Sequence, residues 1–145
     1  MGTWLIDTES KPGILQLILS GTFTVEEMRA VHTAHNAAID AYGRADYRVF
    51  CDLRDLAPLS PGCASILESA KTYSSSHKNF RGSAVWVKSA LIALQHRRTS
   101  ESGGVMDTEL ISEDVHVLWK HLDVVNRMNA PKGATASKDA KRSKS

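Results

Sequence analysis

The sequence predicts an α/β domain: a mixed sheet of four to five strands that opens with a β-hairpin and is covered by about four helices. Three observations carry this. Short apolar runs of strand length recur along the chain (WLIDT, ILQLIL, DYRVFCDL, SAVWV). Segments with helical apolar spacing and capping residues alternate with them. The first two runs are separated only by a turn containing Pro12-Gly13, with no helix between them.

The elements follow in order. Trp4 to Thr8 reads as the first strand and Ile14 to Leu19 as the second, an antiparallel pair. Ser20-Gly21 ends the hairpin. Thr24-x-x-Glu27 is a capping box, in which each side chain satisfies a free backbone N–H at the start of the first helix. Met28, Val31, His35, Ala38, Ile39 and Tyr42 mark that helix's buried stripe, and Gly43 its stop. Asp46 to Leu53 is the third strand. Its nearly continuous apolar centre suits a central strand covered on both faces. Ser60 caps the second helix with Pro61 in its first turn, where a missing N–H costs little. Cys63, Ile66, Leu67, Ala70 and Ser74 are its expected stripe. Ser83 to Val87 is the fourth strand. Ser89 caps a third helix carrying Leu91, Leu94, Gln95 and Arg98 and ending at Gly103-Gly104, with Arg97-Arg98 near its C-terminus read as solvated surface. Val105 to Leu110 is the fifth, edge strand, with Asp107 and Glu109 unsuited to burial. Ser112 caps the last helix, whose first turn holds Glu113 and Asp114, favourable against the helix dipole. Val115, Leu118, Trp119 and Leu122 give that helix its core face.

At 145 residues the chain suits one domain, and its 42% hydrophobic and 23% charged composition is that of a soluble globular protein. The boundaries expected are a folded unit over 1–126 and a basic, flexible tail over 127–145. The formal charge of +2 is unevenly placed. From Arg127 onward six cations stand against Asp139 alone, so that segment is +5 and the body −3. The basic balance belongs to the tail. Without interleaved aromatics it offers nucleic acid only nonspecific phosphate contact. No basic start precedes an apolar segment, so a secretory signal is not expected, and a cytoplasmic setting with Cys51 and Cys63 as reduced thiols is.

Catalytic and metal motifs are few. His32 and His35 have a spacing that places two ligands on one side of a helix, but no third ligand accompanies them and packing histidines are expected. Glu26 and Glu27 are adjacent and diverge on a helix. No serine stands in a Gly-x-Ser-x-Gly elbow, and Gly103-Gly104 is not a phosphate loop. The expectation is no enzyme, no cofactor and no metal.

Leu17-x-Leu19-Ser20-Gly21-Thr22 before a helix, Val49-Phe50-Cys51-Asp52-Leu53 before a capping loop, and Ala84-Val85-Trp86-Val87 together resemble a STAS-type domain, the superfamily of bacterial anti-sigma-factor antagonists, in its STAS-like or lipid-transfer-like branch. The resemblance covers about residues 3–125. It implies a noncatalytic regulatory module that binds a protein partner. Family members of the antagonist type carry an Asp-Ser-Ser-Gly-like segment at the start of the second helix, with one serine phosphorylated to switch binding off. Here that segment reads Ser60-Pro61-Gly62-Cys63. Pro61 stands at the phosphorylated position and Ser60 at the family's aspartate, which leaves Ser60 as the candidate phosphorylation site.

The expected partner face is the loop over 54–60 with the N-terminal half of the second helix. Arg54, Asp55, Ser60 and Gly62 are the contact residues. The first three supply charge and hydrogen bonds, and Gly62 allows close backbone approach. Lys88 and Ser89, at the start of the third helix, form a candidate anion site. The alternative function is a small-ligand or lipid-binding domain with an apolar groove between the second and third helices. The hairpin and the edge strand leave a homodimer open.

Overall fold

The computed structural model describes residues 1–128; the basic tail lies outside the described residues. The element order is β1 (Thr3–Asp7), β2 (Ile14–Gly21), α1 (Val25–Ala41), β3 (Tyr47–Leu56), α2 (Pro61–Ser75), β4 (Phe80–Trp86), α3 (Ala90–Gly103), a 3-10 turn (Met106–Thr108), β5 (Glu109–Ser112) and α4 (Val115–Met128). The strands lie in sequence order in one five-stranded sheet. β1 and β2 are antiparallel and every later pair is parallel. The fold class read from the sequence is the one observed.

This order dictates the layers. Each parallel strand is added beside its predecessor in the same direction. Right-handed crossovers then place α1, α2 and α3 side by side on one face. That face of the sheet presents Leu15, Leu17 and Leu19 from β2, Tyr47, Val49, Cys51 and Leu53 from β3, and Val85 and Val87 from β4 and its end. The alternate residues Ile14, Phe50 and Ala84 point the other way and are covered by Leu118, Leu122 and Val125 of α4. β3 is therefore apolar in both registers of the pleat, which is why its sequence runs without alternation. Tyr42 and Tyr47 stack with centroids 5.1 Å apart on the first side, and Phe50 stacks on Trp119 at 4.3 Å on the second. Arg48 donates to the Leu122 carbonyl at 3.1 Å and ties the C-terminal half of α4 to the start of β3.

The capping box at Thr24 is present with both hydrogen bonds, and Ser60 caps α2 with Pro61 at its start. Gly43, at φ +61°, follows α1 in the left-handed conformation that suits a helix stop. Four expectations need correction. β3 continues to Leu56 instead of ending at Leu53, because between the pairs Ile18–Asp52 and Ser20–Asp55 one residue of β2 (Leu19) opposes two of β3 (Leu53 and Arg54), a bulge that carries the pairing onward. The inward face of α3 is Ile92, His96, Thr99, Ser100 and Gly103, while Leu91 and Leu94 are 53% and 45% exposed; Arg98 faces solvent, as read. Shape decides this. A Cβ on Gly103 would stand 2.6 Å from Lys71 Cβ, so the small face of α3 is the one that fits against α2. β5 begins at Glu109, after the 3-10 turn, and the Glu109 side chain is turned inward, where it meets Lys71. Finally, α4 starts two residues later than expected. Ser112 Oγ accepts from the Asp114 amide and Asp114 accepts from the His116 amide, so Asp114 takes the role expected of Ser112.

Among the described residues, no helix is long and apolar enough to cross a membrane.

Candidate functional site at the carboxyl edge of the sheet

β3 and β4 end together, with Asp52 paired to Trp86 across the ladder. Asp52 and Arg54 lie two residues apart and on one face of the pleat, the face that α4 covers further down. Arg54 Nε donates to Asp52 Oδ1 at 3.0 Å and Nη2 to Oδ2 at 2.8 Å, a bidentate fork. The same guanidinium lies over the Trp86 ring, 3.5 Å from its centroid. Trp86 is pinned in turn, because its Nε1 donates to the Glu113 carbonyl at 3.2 Å. Burial pushes the Asp52 carboxyl up, but the hydrogen bonds from Arg54 outweigh it and hold the group below the ordinary carboxylate range. Hydrogen bonding to Asp52 raises Arg54 above its usual value. Both charges are thus fixed at neutral pH. The Arg54 side chain is still 40% exposed, and its Nη1 is not engaged by Asp52. The result is a rigid cation on an aromatic ring, with donors left over.

The other predicted residues occupy different ground. Asp55 is exposed and meets Lys88 at 3.7 Å. Ser60 Oγ accepts from the Cys63 amide at 3.2 Å, so the cap occupies one of its lone pairs while the residue remains exposed. Gly62 is exposed too, yet a Cβ there would stand 2.9 Å from Val25 Cγ2. Its absent side chain serves the approach of α2 to α1. Because Arg54 lies on the α4 side and α2 starts on the three-helix side, Arg54 is not on one surface with Ser60 and Gly62. The structure brings together Asp52, Arg54 and Trp86, and separately Asp55 and Lys88. Gln95 steadies the connecting loop, accepting from the Leu59 amide at 3.0 Å and donating to its carbonyl at 3.1 Å. Ser89 caps α3, accepting from the Leu91 and Ile92 amides, and Lys88 beside it faces Asp55.

Sequence reasoning missed Trp86 as a partner for Arg54. The available signal was the Asp-x-Arg spacing in β3 opposite an aromatic at the matching position of β4. It also missed the buried cluster on the other side. Lys71 Nζ lies 3.2 Å from Glu109 Oε1, with side chains 8% and 4% exposed. Ser100 hydrogen-bonds both, and Ser83 Oγ donates to Glu109 Oε2 at 3.0 Å. Burial pulls the Lys71 ammonium below its ordinary value against the attraction of Glu109. Burial, reinforced by the Lys71 charge, drives His96 well below its ordinary value, and its Nε2 has no hydrogen-bond partner among the described residues. Cys51 is buried and its thiol is pushed up to about 12, while Cys63 is buried and free as well. A thiol so raised is a poor nucleophile.

The groove expected between α2 and α3 is closed by the contact at Gly103 and by the Lys71 cluster. A void lies between α1, α2 and the sheet instead, bounded by Met28, Val31, Cys51 and Leu67. Its volume is about 30 Å³, room for one or two waters and no acyl chain. His35, on its wall, reaches Asn36 at 2.8 Å and Ser74 at 3.4 Å, a packing role. Among the described residues no three His, Cys, Asp or Glu side chains gather as a metal would require.

No family model matches this sequence, and no curated protein matches it. A solved structure does. An uncharacterised protein of the DUF3478 family with a SpoIIAA-like fold, from Shewanella loihica PV-4, superimposes with a TM-score of 0.57 at 16% identity. The match covers 82% of this chain and 91% of that one. At that identity the likeness speaks for architecture alone, and the architecture is the mixed sheet and four helices described above: the chain has a SpoIIAA-like, that is STAS-like, fold.

Proposed function

We propose that this protein is a noncatalytic regulatory module of the bacterial, cytoplasmic, STAS-like kind that binds a protein partner at the carboxyl edge of its sheet. The observation that carries the reading is the Arg54 guanidinium, fixed by Asp52 over Trp86 and half open to solvent. Arginine and tryptophan held rigid at a surface lose little entropy on binding, which is why such residues dominate interface energetics. Asp55 and Lys88 form a second, separate charge pair near the end of the same strand. Ser60 is the modification point of this reading. Ser60 is exposed at a helix N-terminus, where a phosphate is electrostatically favoured and adds negative charge at the start of α2. With the oxygen of Ser89 committed to α3 and Lys88 facing Asp55, the anion site has no support of its own.

The test is affinity capture from the source organism with wild-type protein and with Arg54→Glu. The variant is expected to lose the wild-type binding partner while keeping its thermal melt. Equal capture by both proteins removes the reading.

A further inference from the structure

The two edges of the sheet are built differently. β5 has only four residues, follows directly on a 3-10 turn, and turns the charge of Glu109 inward to Lys71. Short length and an inward charge are devices that keep a strand edge from pairing with another chain. β1 at the other edge has none of them. Its five residues, Thr3-Trp4-Leu5-Ile6-Asp7, contain no proline and no lysine, and they pair with β2 from Thr3↔Ser20 to Asp7↔Gln16 without a bulge. Trp4 is 39% exposed and Leu5 56% exposed. They point to opposite faces of the strand: Trp4 and Ile6 to the side of α1, Leu5 to the side that α4 leaves open over β1. An open groove of about 290 Å³ runs along Leu5 to Glu9.

We propose that β1 pairs antiparallel with β1 of a second copy about a two-fold axis at Leu5, joining two five-stranded sheets into one of ten strands. Charge and apolar pattern choose both occupant and register. Asp7 is the one charged residue of the strand. Centring the pair on Leu5 sets each Asp7 against Thr3 of the second copy, so the carboxylates lie at opposite ends. Centring it on Asp7 brings the two carboxylates face to face, which is destabilising. The Leu5 register also sets Leu5 against Leu5 and Trp4 against Ile6 of the second copy. A two-fold axis normal to the sheet keeps the faces in step, so apolar residues meet apolar residues on both sides. The strand is thus complementary to itself in pattern and in charge, as an isologous contact requires. This surface is remote from Arg54 in the strand order, and the pairing stands whether or not the partner face proposed above is correct.

Sedimentation and register-specific cross-linking of the full chain test it. Wild-type protein is expected at twice the chain mass. Leu5→Lys opposes two ammonium groups at the axis and weakens association at least about tenfold, with an unchanged far-UV circular dichroism spectrum because Leu5 is exposed in the single chain. Leu5→Cys is expected to form an interchain disulfide under mild oxidation. Thr3→Cys alone should not, whereas a mixture of Thr3→Cys and Asp7→Cys chains should link to each other. The buried Cys51 and Cys63 leave that background clean. A monomeric wild-type chain, a Leu5→Lys variant as tightly associated as wild type, or Thr3→Cys cross-linking as well as Leu5→Cys would each overturn the proposal.

Discussion

The two sides of the sheet handle polar groups in opposite ways. On the three-helix side, Lys71, Glu109, Ser100 and Ser83 satisfy one another out of reach of solvent. On the α4 side, Asp52, Arg54 and Trp86 satisfy one another and still leave an exposed cation. The first arrangement ties α2, α3, β4 and β5 together. The second does little for stability, since ion pairs with open access to water are worth about 0–1 kcal/mol. Groups placed so as to be rigid and exposed, at small benefit to folding, are what recognition needs. The difference teaches that charge in this fold is structural on one side and available on the other.

The comparison breaks most visibly if the buried pair is cut. Lys71→Ala leaves Glu109 uncompensated and should cost about 3–5 kcal/mol in urea unfolding. Replacing both partners, Lys71→Met with Glu109→Leu, should recover most of that loss. A cost near zero for Lys71→Ala would show that the cluster is not the fastening of α3. Next comes the apolar side of the account. Leu118→Ala, beneath Phe50 and Trp119, should cost about 2–5 kcal/mol by the same measurement.

A smaller effect sharpens the comparison through pH. His35 and His96 lie on the three-helix side, and burial lowers both from the ordinary 6.5. The unfolded chain then binds protons that the folded chain refuses. Stability is full above about pH 6.5 and falls as the pH drops below it. His96→Gln should flatten part of that slope between pH 6.5 and 5, measured by denaturant midpoints. Asp52, held below 3.8, keeps its charge through that window, so the α4-side patch should not contribute to the slope. The smallest effect is expected at the patch itself: Arg54→Glu should change stability by no more than about 1 kcal/mol.

Much of this was legible in the sequence because it rests on local chemistry. The Thr24 capping box, the Ser60-Pro61 helix start and the two-sided apolar run of β3 each announce themselves within a few residues. What escaped depends on contacts between distant residues. Nothing near Glu109 reveals that Lys71, thirty-eight positions earlier, will neutralise it, so an inward glutamate reads as an exposed one. The buried face of α3 escaped for a related reason. Leu91 and Leu94 look like core residues, but the close approach at Gly103 turns the small and polar face inward. At the candidate site, Arg54 and Asp55 were read as loop residues but lie within β3, while Ser60 and Gly62 stand at the start of α2. Their division between two sides of the sheet depends on the pleat and on the bulge after Asp52, and a bulge leaves no reliable mark in sequence. Gly62, read as an opening for a partner, proves to make room for Val25.

The most direct test of the recognition edge is site-specific photo-crosslinking in the source organism from two exposed lysine positions. One is Lys88, beside Asp55 at the carboxyl edge; the other is Lys120, on the outer surface of α4. The account predicts a discrete protein adduct from position 88, abolished by Arg54→Glu, and none from position 120. Adducts from position 120 alone, or an adduct from position 88 indifferent to Arg54→Glu, would contradict it.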